Sequence, residues 1–200
     1  MFKEITRDDV YRIETKRLWL RWPRLGDAPL IASALADQRI ADMTSRIRHP
    51  YPPQDAETFV FSTRKNNHDG AALGLVITPK DKPNHVIGAV SLSPDPSSPR
   101  VVVLGYWIRC DQWGRGFARE AAGSLVQTGF TLSDADAIHA TVKPENEASK
   151  RILAKIGFQK TGQEHRFMPA REREELVDCF RLAKSAWRDG QPWSVYGAAA

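Results

Sequence analysis

Asp111 to Glu120, DQWGRGFARE, constrains this chain more than any other stretch, because its glycine pair sits directly between a run with strand character and a run with helix character. Val101 to Ile108 before it is β-branched and aromatic, while Phe117, Ala121, Leu125, Thr128 and Leu132 after it recur at helical spacing. Glycine permits close backbone approach, and a helix N-terminus offers unpaired N–H groups with partial positive charge. A phosphate is the expected ligand. A tight strand-to-helix turn also needs glycine for sterics alone, so the turn by itself supports both readings. The dinucleotide fingerprint GxGxxG would require glycine where Arg119 stands, and the P-loop spacing GxxxxGK[ST] has no match. What remains is a short nest of amides over Gly114, Arg115, Gly116, Phe117 and Ala118, to which Arg115 and Arg119 add charge.

Elsewhere the pattern alternates between strand and helix. Lys16 to Trp22 reads as a strand with Leu18, Leu20 and Trp22 on one face and Trp19 and Arg21 on the other. Gly26 and Asp27 open a helix for which Asp27 is the expected N-cap, Pro29 lies in the first turn, and Leu30, Ile31, Ala34 and Leu35 form the buried stripe. The stiff loop HPYPP, from His49 to Pro53, precedes a second helical stretch, Asp55 to Lys65. Strands are expected at Ala71 to Thr78, His85 to Ser93 and Ala137 to Val142, with Ser93 to Arg100 a loop leading into the Val101 strand. A helix over Asn146 to Ile156 ends at Gly157 in the C′ position, and Phe158 to Gly162 and Leu176 to Ala186 read as closing strands. This order predicts a mixed α/β sheet with helices on both faces.

A length of 200 residues with 42% hydrophobic content suits one domain, expected over residues 1–187, with a tail at 188–200. Cys110 and Cys179 stand in no CxxC or Cys/His spacing, which argues against a disulfide framework or a zinc site and for a reducing cytoplasm. The first residues carry acidic groups and no apolar h-region, and no apolar run is long enough for a membrane span. A net charge of +5 and a pI near 9.4 favour anionic partners: a phosphorylated cofactor, nucleic acid or the ribosome, with a merely solvated basic surface equally open. Edge strands and the tail residues Trp193, Val195 and Tyr196 leave a homodimer open.

Taken together, TKRLWLRW (Thr15 to Trp22), IGAVSL (Ile87 to Leu92), LGYWI (Leu104 to Ile108), WGRGFAREA (Trp113 to Ala121) and VKPENEASKRILAKIGF (Val142 to Phe158) resemble the GNAT superfamily of acetyl-CoA-dependent N-acetyltransferases, in particular its Rim-type branch acting on ribosomal-protein N-termini. The segments follow family order and cover roughly Thr15 to Trp187. The resemblance implies a mostly antiparallel twisted sheet with splayed central strands, acetyl-CoA as co-substrate, no metal, and direct transfer to a primary amine. That amine is a protein N-terminus or a small molecule; neither nucleic acid nor a membrane is implied as partner. On the same ground Gly114, Arg115, Gly116, Phe117, Ala118 and Arg119 take the pyrophosphate, and Tyr106, Trp107, Ile108, Asn146 and Ser149 line the rest of the cofactor. A bulge at Gly105 is implied as well, with the N–H groups of Tyr106 and Trp107 candidates to polarise the thioester carbonyl. Trp113, where many relatives have Gln or Arg, is common in the Rim-like branch.

Transfer from a thioester to an amine asks for a neutral amine, a stabilised oxyanion and a proton for the leaving thiolate. An α-amino group has a reference pKa of about 7.7–8.0 and lysine about 10.4, so an α-amine needs less help from a base. The resemblance makes Ser149 a candidate to protonate the thiol, although Asn146 as N-cap and Ser149 at N3 also suit the helix alone. Many relatives use a tyrosine one turn later, where this chain has Leu153, and a glutamate before LGY, where it has Val103. The remaining candidates for a base are Glu164, His165 and His139, with a water chain and no dedicated base equally open, and Tyr106 is also set in the reaction zone. The resemblance places the acceptor pocket between the first two helices, at Arg46, Arg48, His49 and Tyr51. Val103 and Leu153 keep open an alternative, a GNAT-like protein that binds acyl-CoA, or a ribosome or nucleic-acid partner, without catalysis.

Overall fold

The computed structural model describes residues 1–96 and 98–187; the expectations for the tail, including Trp193, Val195 and Tyr196, lie outside the described residues. Alternating apolar residues build one eight-stranded sheet in the order β1-β2-β3-β4-β5-β6-β8-β7. Its strands are β1 (Arg12–Glu14), β2 (Leu18–Arg21), β3 (Leu73–Pro79), β4 (Gly88–Asp95), β5 (Ser98–Ile108), β6 (Ala137–Val142), β7 (Gln159–Met168) and β8 (Arg173–Ala183). Every neighbouring pair is antiparallel except β5 with β6. That pair is joined through the helix α4 (Phe117–Leu132), and β6 runs on to α5 (Glu147–Ile156). The short helices α1 (Ala28–Leu35) and α2 (Gln38–Asp42) and the longer α3 (Pro53–His68) come earlier in the chain.

Strand alternation sorts the core onto two faces. Leu20, Leu75, Val90, Leu92, Leu104, Ile138, Ala140 and Leu182 bury with Ala121, Leu125 and Leu153 of α4 and α5. Val76, Ala89 and Trp107 bury with Ile31 and Leu35 of α1 and Ala56 and Val60 of α3 on the other face. The mixed α/β sheet with helices on both faces is thus as expected, with several local differences. Asp27 does not cap α1: its carboxylate accepts from both terminal nitrogens of Arg21 at 2.8 Å and from the Arg24 amide at 2.7 Å. A buried arginine outcompetes a helix terminus for that carboxylate, because Arg21, 8% exposed, would otherwise carry an unpaired charge in the core. Ser93 to Asp95 belong to β4 and Ser98 to Arg100 to β5, with a register irregularity at Pro94/Asp95, where a loop was expected. β7 runs well past Gly162 to Met168, and the last strand ends at Ala183, where a 3-10 turn over Lys184–Ala186 begins.

Candidate active site

The parallel pairing of β5 and β6 covers Val101–Val103 with Ala137–His139 and then stops. Beyond it the two strands separate, while β5 stays in continuous register with β4 through Gly88↔Ile108. The opening needs no bulge at Gly105, contrary to expectation: the β4–β5 ladder passes Gly105 unbroken, and divergence of β6 alone makes the gap. Arg109 donates its amide to Ile87 at 2.8 Å on the β4 side, whereas the Ile108 carbonyl accepts from the Trp113 indole at 2.8 Å instead of from β4. Alternation then turns the main-chain groups of Leu104, Tyr106 and Ile108 into the opening and those of Trp107 toward β4. The Tyr106 amide is therefore placed to serve a ligand in the gap; the Trp107 amide, expected to share that role, is spent on the sheet.

Both helices that follow these strands begin at the mouth of the opening. Gly114 and Gly116 adopt left-handed φ values of +75° and +79°, and among the described residues no side chain caps α4, so its first N–H groups are left to face outward. A Cβ at Gly116 would meet only the Arg17 Nη2 at 3.5 Å, which leaves the nest open on its outer side. Arg17 was not singled out in the sequence, yet it organises this turn. Its Nη1 donates to the Arg115 carbonyl at 2.9 Å, its Nε to Glu120 at 2.7 Å, and its guanidinium stacks 4.6 Å from the Phe117 ring. Arg115 lies 4.8 Å from the same ring. Glu120 also accepts from Thr15 Oγ1 at 2.6 Å and from the Arg17 amide at 2.7 Å. Burial pushes the Glu120 carboxyl up, but these donors outweigh it and hold it below the usual range. Arg119 is exposed beside the turn.

Across the opening, Tyr106 Oη and Ser149 Oγ lie 3.1 Å apart. The two readings of Ser149 coexist, because its amide donates to the Asn146 cap at 3.0 Å while its hydroxyl turns to Tyr106. Burial pushes the Tyr106 phenol up to about 12, against a smaller opposing effect of its bond with Ser149, so the phenol is protonated at neutral pH. Leu153, one turn on, is fully buried in the core.

The other candidates divide. Glu164 and His165 sit exposed on the edge strand β7, separated from β6 by β8, and Glu164 pairs with Arg166 at 2.9 Å; the fold does not bring them to Ser149. His139 faces the side opposite α4 and α5. Arg46, Arg48 and His49 line a cleft of about 600 Å³ whose far wall is the β7–β8 turn, Pro169 to Glu172. Arg48 is bound bidentately by Asp55 at 2.7 and 2.9 Å, and Arg171 ties the turn to the end of α2 and the loop after it through the carbonyls of Ala41 at 3.0 Å and Thr44 at 2.7 Å. Tyr51 does not line the cleft; it packs beside the core that holds Trp107, and burial pushes its phenol up to about 12. Among the described residues no group of three or more His, Cys, Asp or Glu side chains could hold a metal ion.

This combination, a parallel pair splayed between two helix N-termini with a glycine nest at its mouth, defines an acyl-transfer architecture, and comparison with known proteins assigns it. The chain belongs to the acetyltransferase (GNAT) family, whose domain model matches residues 17–159. The N-acetyltransferase p20 of Bacillus licheniformis is 29% identical over 170 residues, covering 85% of this chain and 94% of that protein. The ribosomal-protein-S5-alanine acetyltransferase of Vibrio fischeri superposes with a TM-score of 0.74 at 22% identity, over 89% of this chain and 99% of that one. RimJ of Mycobacterium smegmatis, solved in complex with CoA-disulfide, gives 0.73 at 21% identity over 86% and 87%. The protein is an N-acetyltransferase with acetyl-CoA as donor and an amine as acceptor.

Proposed function

We propose that this enzyme acetylates the α-amino group of a protein or peptide directly, in the opening between β5 and β6. The observation that carries the reading is the Tyr106–Ser149 pair bridging that opening at 3.1 Å, at the free edge of β5. The residues present fit the donor. The uncapped N-terminus of α4 and the glycine nest suit a pyrophosphate, with Arg115, Gly116, Phe117 and Ala118 supplying amides and Arg17 and Arg119 adding charge. Leu104 and Tyr106, with the Ile108 amide, present the main-chain groups that an extended arm would pair with, as an added strand does. Acetyl-CoA supplies an activated acyl group. The Tyr106 amide is the donor for the developing oxyanion, and the protonated Tyr106 phenol with Ser149 holds the proton that the leaving sulfur requires.

The α-amine preference rests on three supports. An α-amine needs less deprotonation than lysine, the cleft beside the α2–α3 loop is open enough for a chain terminus, and proteins of the same fold include a ribosomal-protein-S5-alanine acetyltransferase. Arg46, which lines the cleft and has no ion pair among the described residues, favours an acidic segment behind that terminus. Among the described residues no helix is long and apolar enough to cross a membrane, and we place the reaction in the cytoplasm. The test is a mass-spectrometric screen of peptides and small amines with acetyl-CoA. Acetylation confined to peptide α-amines is expected; product found only on lysine side chains or small amines would overturn the acceptor assignment.

A further inference from the structure

We infer that His139, held by Asp95, takes the proton from the acceptor amine at the apex of the β5–β6 opening, a role that rests on the acetyl-transfer reading above. His139 is registered against Val103 in the last pair before the strands separate. Ile138 and Ala140 on either side of it are buried beneath α4 and α5, so alternation sends the imidazole out of the opposite face. That ring is 34% exposed, while the Asp95 carboxylate 3.1 Å from its Nδ1 is 2% exposed. A carboxylate can only accept, so Nδ1 carries the proton and Nε2 keeps a lone pair. A buried carboxylate behind an imidazole fixes this tautomer and the orientation of the ring.

The placement divides the work between the faces of the sheet. Tyr106 and Ser149 stand on the α4/α5 side of the opening, and His139 on the other, the side on which the α2–α3 loop packs through Ile47 and Tyr51. The nearest registered neighbours of His139, Val103 on β5 and Arg181 on β8, supply no competing base. The proton balance closes without another reactant. An ammonium gives one proton to Nε2 and attacks as free amine; the C–N bond forms, the C–S bond breaks, and sulfur leaves with the electron pair. The second proton shed by nitrogen balances the thiolate, and the one on Nε2 returns to solvent.

His139→Gln keeps a donor for Asp95 but loses the proton acceptor. It is expected to bind acetyl-CoA by calorimetry within twofold of wild type and to lose turnover about 100-fold or more. His139→Asn gives the same readout if the longer amide does not fold. Asp95→Asn should lower turnover in the wild-type background and change nothing further in His139→Gln, since a positioning residue acts through its partner. Independently of turnover, nitrogen NMR of histidine-labelled protein should show His139 protonated on Nδ1 and bare on Nε2, with that preference lost in Asp95→Asn. Turnover of His139→Gln within threefold of wild type, additive losses in the double variant, or an Nε2–H tautomer would each overturn the assignment. A wild-type protein that neither binds acetyl-CoA nor acetylates any amine would instead remove the acetyl-transfer reading itself.

Discussion

Replacing Gly116 separates the conformational demand of the turn from its role as an anion nest. At φ +79° an L-residue pays a steric cost of about 1–2 kcal/mol. Space does not add to it, because among the described residues beyond its chain neighbours a new Cβ approaches only Arg17 Nη2, at 3.5 Å. Gly116→Ala should therefore lower the melting temperature by about 2–8 °C, at roughly 2–4 °C per kcal/mol for a chain of this size. Gly114→Ala, at φ +75° with nothing within 4 Å, should behave alike and serves as control. Gly116→Glu adds a carboxylate at the same place. One unit charge about 4 Å from another costs about 4 kcal/mol at an effective dielectric of 20, and halving that for the exposure of the turn leaves about 2 kcal/mol, or roughly 30-fold in affinity. A pyrophosphate carries more than one charge, so 30-fold is the lower bound. Melting curves give the first quantity and calorimetry with acetyl-CoA the second. Wild-type affinity in Gly116→Glu would refute the nest as the phosphate site, and unchanged melting in both alanine variants would refute the strain argument.

Three further outcomes follow from the same geometry. Ser149→Ala and Tyr106→Phe should each lower turnover by about 10² while leaving acetyl-CoA affinity within twofold; wild-type turnover in both would take the pair out of the reaction. Arg46→Ala should raise the KM for an acidic peptide up to about fivefold without altering that for acetyl-CoA, as loss of one exposed ionic contact does; an unchanged peptide KM would remove Arg46 from the acceptor site. Asp178 is held down to about 2, chiefly by its bond from Lys160, and Glu175 to about 2 as donors from Arg173 and Lys143 overcome its burial. Both folded values lie below the ordinary 3.8 and 4.5, so their stabilisation is complete above about pH 4.5 and is lost as the pH falls toward 2. The melting temperature should decline steeply through that window, and Asp178→Asn should flatten the decline; an identical acid profile in the variant would contradict this.

What could be read from the sequence was governed by contacts short in sequence. Asn146 and Gly157 bound α5 by rules that operate within one turn, and both hold: Asn146 accepts the Ser149 amide and Gly157 takes φ +110°. Asp27 obeys the same local rule in the sequence but not in the fold, because Arg21 must be neutralised where it is buried. β7 was truncated for a different reason. As an edge strand it is exposed on both faces from Gln159 to His165, so its polar residues carry no period-two signal. The Arg17–Glu120 tie and the Asp95–His139 pair join positions 103 and 44 residues apart, and no periodicity reports a partner at such a distance. The segment resemblance did include both Arg17 and Glu120, and that is the signal by which they could have been found.

The asymmetry between donor and acceptor has a physical origin. The donor side is built from main chain: glycine torsions, an uncapped helix, and the free edge of β5 beyond Val103. Such features demand particular residue types at fixed spacing, so they leave a motif. In the reading proposed above, the acceptor side is built from side chains of the α2–α3 loop and the β7–β8 turn, which line one cleft, and from His139 on a strand that any β-former could occupy. Arg171 holds two of these parts together by donating to the carbonyls of Ala41 and Thr44, so the cleft depends on main-chain acceptors that any residue could provide. A chain could therefore exchange every acceptor-facing side chain and keep its donor motif. Variation in substrate within such a fold should map to the cleft and to the His139 face, while the glycine turn stays silent about it.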